Sequence, residues 1–152
     1  MKEQQFPIAS IKSLLKKKGW IEIPSSGVSM YPLIKQGDIC RFIPLDSKSK
    51  LKKSEIILFV CEDGRLIGHR YYRTFVENGV SYYVFKGDTN VFPDPPVEGS
   101  QLIGKLVLIK KKKFRINPQG SFSQLWGSIV FAFPLVPRYC KKYLSLKSRL
   151  RV

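Results

Sequence analysis

One serine, one histidine and a carboxylate-bearing loop stand in an order that can support acyl-transfer chemistry. They are Ser29, His69 and a turn-rich loop carrying Asp88 and Asp94. A serine hydroxyl is a poor nucleophile at neutral pH and needs a base within hydrogen-bond reach. The chain contains a single histidine, so His69 is the imidazole candidate for that base. A carboxylate on the second ring nitrogen would fix the tautomer and stabilise the imidazolium formed during attack. Either Asp94 or Asp88 could supply it.

The local sequence holds Ser29 rather than merely containing it. It lies in SGVSMYPLIKQGD, residues 26–38, with Gly27 two before it, Pro32 three after it and a Gly37-Asp38 turn beyond. Glycine admits backbone angles that other residues avoid, proline fixes φ and removes a donor, and Gly-Asp marks a turn. His69 falls in LIGHRYY, and the carboxylates in KGDTNVFPD, residues 86–94.

Mostly short strands must position these groups. Apolar or alternating runs bounded by turn signals predict strands over Trp20–Ile23, Asp38–Ile43, Glu55–Cys61, Leu66–Phe75, Ser81–Lys86 and Leu102–Lys110. Asp63-Gly64 and Asn78-Gly79 predict hairpins between neighbouring runs. Ahead of the strands, Ile8, Ile11, Leu14 and Leu15 recur at helical spacing between Pro7 and Gly19, which predicts a short amphipathic helix packed on the domain. The Lys48–Lys53 run reads as a solvated loop. These readings divide the chain into an N-terminal helix over 1–19, a β-rich domain over 20–113 and a basic C-terminal segment over 114–152.

Within that last segment, Phe122–Val136 is apolar, carries Trp126 and is flanked by Lys and Arg. A spanning helix needs roughly twenty apolar residues, and Ser123, Gln124 and Pro134 interrupt this one. It therefore reads as an interfacial helix or hairpin, the alternative being a helix that packs back on the β domain.

The charge sets the expected partners. The chain has 27 Lys and Arg against 11 Asp and Glu, a formal +16, which implies attraction to an anionic surface. Aromatics are interleaved with the basic runs only at Tyr139 and Tyr143, which favours an anionic membrane surface over nucleic acid. A membrane-associated protein at the cytoplasmic face is the expected placement, because residues 1–19 show neither a secretory signal nor a span. Three cysteines, Cys40, Cys61 and Cys140, and one histidine cannot make a zinc site by the common ligand sets. No cofactor and no disulfide framework is expected.

The boxes SGVSMYPLIKQGD, GHR and KGDTNVFPD, in that order, closely resemble those of signal peptidase I. The match is to the endoplasmic-reticulum-type branch, in which histidine replaces the catalytic lysine. The resemblance covers residues 25–110. It implies a mainly β fold of the signal-peptidase and SOS-repressor protease type, here with a short N-terminal helix and a C-terminal apolar helical segment. It also implies a serine endopeptidase that cleaves a leader or signal segment from a precursor polypeptide, after small residues. Carried over, Ser29 is the nucleophile, His69 the base and Asp94 its partner, with Asp88 the second choice. The chain departs from the family at Val28, where a glycine is usual, at Gly27, which has no hydroxyl to give an oxyanion, and in placing its apolar segment at the C-terminal end.

Two other readings compete with the peptidase. An inactive peptide- or membrane-binding module on the same fold is favoured by Gly27 and Val28. A self-cleaving transcriptional regulator would need a DNA-binding domain that the residues ahead of Ser29 are too few to form. A free imidazole titrates near about 6.5, so a histidine base predicts activity that rises through about pH 6–7.

Overall fold

The computed structural model describes residues 7–48 and 50–150. The first six residues of the predicted N-terminal unit, Ser49 of the basic loop and the last two residues of the tail lie outside the described residues. Among the described residues the chain is mainly β, with eight strands in one antiparallel sheet that curls into a half-barrel, and three α-helices.

The strands are β1 (Ile21–Pro24), β2 (Ile39–Pro44), β3 (Ile56–Val60), β4 (Leu66–Glu77), β5 (Val80–Lys86), β6 (Val97–Glu98), β7 (Leu102–Lys110) and β8 (Arg115–Ile116). Their order is β1-β2-β7-β3-β4-β5-β6, with β8 added to β7. All six predicted strands are present within one or two residues of their expected ends. The two short strands β6 and β8 carry too few residues to show a period. Both hairpins form: β3 and β4 flank Asp63-Gly64, and Asn78 and Gly79, each with positive φ, close β4 onto β5.

β3 shows why the sheet holds together. All five of its side chains are buried, because both faces are covered. Ile56, Leu58 and Val60 enter one apolar cluster with Leu33, Phe42 and Leu106, while Ile57 and Phe59 enter another with Phe85 and Val97. Period-two alternation thus feeds two cores from one strand. The predicted N-terminal helix, α1 (Ile8–Lys18), ends at Gly19 in the left-handed conformation and lays the buried Leu15 on the first cluster.

The C-terminal region forms α2 (Ser121–Ala132) and α3 (Leu135–Arg149), separated at Phe133-Pro134. On one side α2 packs back on the β domain, while Phe122, Leu125 and Phe133 of the same segment stay exposed. Val130 is buried, Trp126 packs against the first cluster, and the Phe131 ring lies 5.4 Å from that of Tyr72. Among the described residues no helix is long and apolar enough to cross a membrane.

Gly127 permits this docking. A Cβ there would come within 2.0 Å of Ser54 Oγ and 3.0 Å of Arg70 Nη1. Overpacking of a filled site typically costs about 1–3 kcal/mol. Gly127→Ala is therefore expected to lower stability by about that amount, read from the urea midpoint at unchanged m-value.

Candidate active site

Ser29 sits in a loop pinned from both sides. Immediately after it, Met30, Leu33 and Ile34 are buried in the first apolar cluster, at the i, i+3, i+4 spacing of one helical turn. The Ile34 N–H donates to Met30 O at 2.9 Å, and a cis Tyr31–Pro32 peptide lies within this turn. Before the serine, Gly27 has φ +83°, a backbone state open to glycine at little cost. The base of the loop is closed by Ser25 N–H on Asp38 O and Gly37 N–H on Ser25 O. Asp38 Oδ2 accepts from the Lys35 N–H at 2.6 Å and pairs with the Lys111 ammonium. The Gly37-Asp38 turn read from the sequence is thus also an electrostatic clamp.

His69 is placed by β4 and packs edge-on to Phe59, with ring centroids 6.3 Å apart. It is buried, and both its nitrogens are engaged. Nδ1 lies 2.6 Å from Asp94 Oδ2, and Nε2 lies 2.8 Å from Ser29 Oγ. A carboxylate only accepts, so Nδ1 carries the proton and Nε2 accepts from the serine hydroxyl. Asp94 is held by its own N–H donating to Phe85 O at 2.8 Å, which folds the loop back onto β5.

Asp88, the second choice as histidine partner, has another role. Its two oxygens accept from Arg70 Nε at 2.7 Å and Nη2 at 3.2 Å, and Oδ2 also accepts from Trp126 Nε1 at 3.0 Å. Both Arg70 and Asp88 are 0% exposed. Burial raises the Asp88 carboxyl above its ordinary value, against the guanidinium and the indole N–H, which pull it down. With a permanently charged guanidinium against it, the carboxylate form is the one this site holds at neutral pH. The oxygens that would have served His69 are committed to the opposite side of the loop.

Three residues given no site role from the sequence complete the arrangement. Arg70 joins β4 to the Asp88 loop and extends Nη1 to Ser54 O and Ser123 Oγ. Thr89 ties that loop to the serine: its N–H donates to Ser29 O at 2.9 Å and its hydroxyl lies 3.3 Å from the same oxygen. Trp126 brings α2 to the pair. Arg70 stands beside the histidine in the GHR box, which was a legible signal for the first of these. Thr89 lay inside the KGDTNVFPD box and Trp126 in the apolar segment, but no local pattern gave either its partner.

The serine and histidine line a cleft of about 790 Å³ that is floored by residues of the first apolar cluster. Phe42, Ile56 and Leu58 line it, with residues 23–27 along one side and 64–69 along the other. Cys40 also lines it; burial pushes its thiol up to about 12. All three cysteines are free. Among the described residues no group of His, Cys, Asp and Glu could hold a metal ion.

Chemically, the hydroxyl, imidazole and carboxylate form one continuous hydrogen-bond chain whose serine and histidine line the cleft. Comparison with family models, with curated proteins and with solved structures gave no match for the chain.

Proposed function

We propose that the protein is a serine endopeptidase of the signal-peptidase type that removes a leader or signal segment from a precursor polypeptide. The observation that carries this reading is the unbroken Ser29–His69–Asp94 hydrogen-bond chain, whose serine and histidine line the cleft. On this reading Ser29 Oγ attacks the scissile carbonyl as its proton passes to His69 Nε2. The imidazolium is stabilised by Asp94 and then protonates the leaving amine, and water hydrolyses the acyl-enzyme by the same route.

The oxyanion is assigned to the backbone N–H of Ser29, since Gly27 offers no hydroxyl and the Val28 side chain is exposed on the loop. An extended precursor fits along residues 23–27, because β1 ends the sheet order and has one unpaired edge.

The test is incubation with a peptide library and mass spectrometric mapping of new termini, alongside labelling by a fluorophosphonate probe. Wild-type protein is expected to cut after small residues and to label, and Ser29→Ala to do neither. Wild-type protein that neither cuts nor labels would favour the inactive binding module.

Gly87 supplies a finer check. A Cβ there would stand 3.0 Å from His69 Nε2 and 2.8 Å from Asn90 Nδ2. Misplacing a catalytic group by about 1 Å costs on the order of 10²-fold, so Gly87→Ala is expected to lower kcat by about that factor while the melting temperature changes little.

A further inference from the structure

The outer face of α3 carries the chemistry of a lipid-docking surface, next to the exposed Phe122, Leu125 and Phe133 of the preceding segment. Leu135, Tyr139, Tyr143, Leu146 and Leu150 are each more than half exposed, and their spacing of three and four residues sets them in one stripe along the helix. The opposite side turns toward the protein, with Pro137 buried and Cys140 and Leu144 half-buried. Exposed Arg138, Lys142 and Arg149 flank the stripe, and no Asp or Glu follows Glu98 in the sequence.

We propose that this stripe docks on an anionic phospholipid surface, with its leucines among the acyl chains, its tyrosines at headgroup level and its cations on the headgroup phosphates. Amphipathic helices with basic flanks bind interfaces in this manner, and long basic side chains reach past the apolar layer to the charge. A second copy of the chain is a poorer occupant, because facing α3 helices would bring like charges together on a protein of formal charge +16. Nucleic acid is poorer too, since three exposed leucines gain nothing on a phosphate backbone.

The surface lies next to the catalytic loop. Tyr143 packs on Tyr31, ring centroids 6.2 Å apart, and Tyr31 is two residues beyond Ser29. A bilayer bound along α3 therefore borders the serine-bearing turn. The docking proposal does not depend on that serine being active.

The test is co-sedimentation of the full chain with vesicles of phosphatidylcholine alone or mixed equally with phosphatidylglycerol. The Ser29→Ala protein is run in parallel and is expected to bind identically, which separates docking from catalysis. Partitioning onto the anionic vesicles is expected to be about tenfold or more stronger than onto the neutral ones, and to fall with salt. Tyr139→Ser with Leu146→Ser is expected to weaken it by about tenfold, and Lys142→Glu with Arg138→Glu to remove the preference for anionic lipid. Both pairs are exposed, and an unchanged circular dichroism spectrum confirms the helix. Equal binding to both vesicles, binding unaffected by either pair, or a dimer in solution that the Tyr139 and Leu146 changes dissolve would overturn the proposal.

Discussion

Ser29→Ala is expected to abolish cleavage of a cognate precursor, with kcat reduced on the order of 10⁴–10⁶ and the fold unchanged. The serine side chain makes one hydrogen bond, to His69 Nε2, and its removal leaves Met30, Leu33 and Ile34 anchored and the Thr89 N–H on the Ser29 carbonyl. Stability measured by urea should therefore be close to wild type. His69→Ala should lose activity to a similar degree, and the double variant no more than either single, because the groups act as one unit. Asp94→Asn is the sharper member of the series. An amide would leave Nδ1 without its anionic acceptor and favour the wrong tautomer, a change worth about 10⁴-fold in kcat. Full activity in purified Ser29→Ala protein would refute the nucleophile assignment. Loss of activity in Asp88→Asn with Asp94→Asn unaffected would move the histidine's partner back to Asp88.

Much of the frame that carries these groups was legible because the relevant signals are local. The runs ending at Asp63-Gly64 and Asn78-Gly79 could only close as hairpins, and β3, with five consecutive apolar residues, had to be covered on both sides. With one histidine in the chain, the order serine, imidazole, carboxylate needed no choice at its middle position. The choice between the two carboxylates did depend on tertiary structure. Asp88 and Asp94 share one loop, and the selection is made by Arg70, which captures Asp88, and by the Asp94 N–H on Phe85 O, which turns the loop toward His69. The two alternatives for the apolar C-terminal segment stood open for a related reason. Amphipathic spacing gives the direction of an apolar face but not what covers it. A tryptophan between basic flanks has the composition of an interface, whereas the Trp126 indole N–H is spent on a carboxylate in the protein interior. A longer exposed stripe lies one helix further on, where Tyr139 and Tyr143 had already stood out among the cations.

The second large effect is on stability, and it comes from the pair behind the site. Arg70→Met should leave the Asp88 carboxylate buried with only the Trp126 N–H for company. Removing one partner of a buried pair costs about 3–5 kcal/mol, a large share of the about 5–15 kcal/mol that holds a typical domain. Asp88→Leu should cost as much, because it strands a guanidinium that cannot deprotonate. The two losses should not add. With both changed, no charge is left buried and the volume stays filled, so Arg70→Met with Asp88→Leu should be distinctly more stable than either single variant, read from urea midpoints in a double-mutant cycle. Activity should behave differently. In the double variant Trp126 has lost its acceptor and the Asp88 loop its tie to β4, so the Thr89 N–H that steadies Ser29 O is no longer backed by the helix. Recovery of stability without recovery of kcat would identify the pair as a positioning element that links α2 to the serine loop. Recovery of both would reduce it to a packing feature, and strictly additive losses would show that the two side chains are not coupled at all.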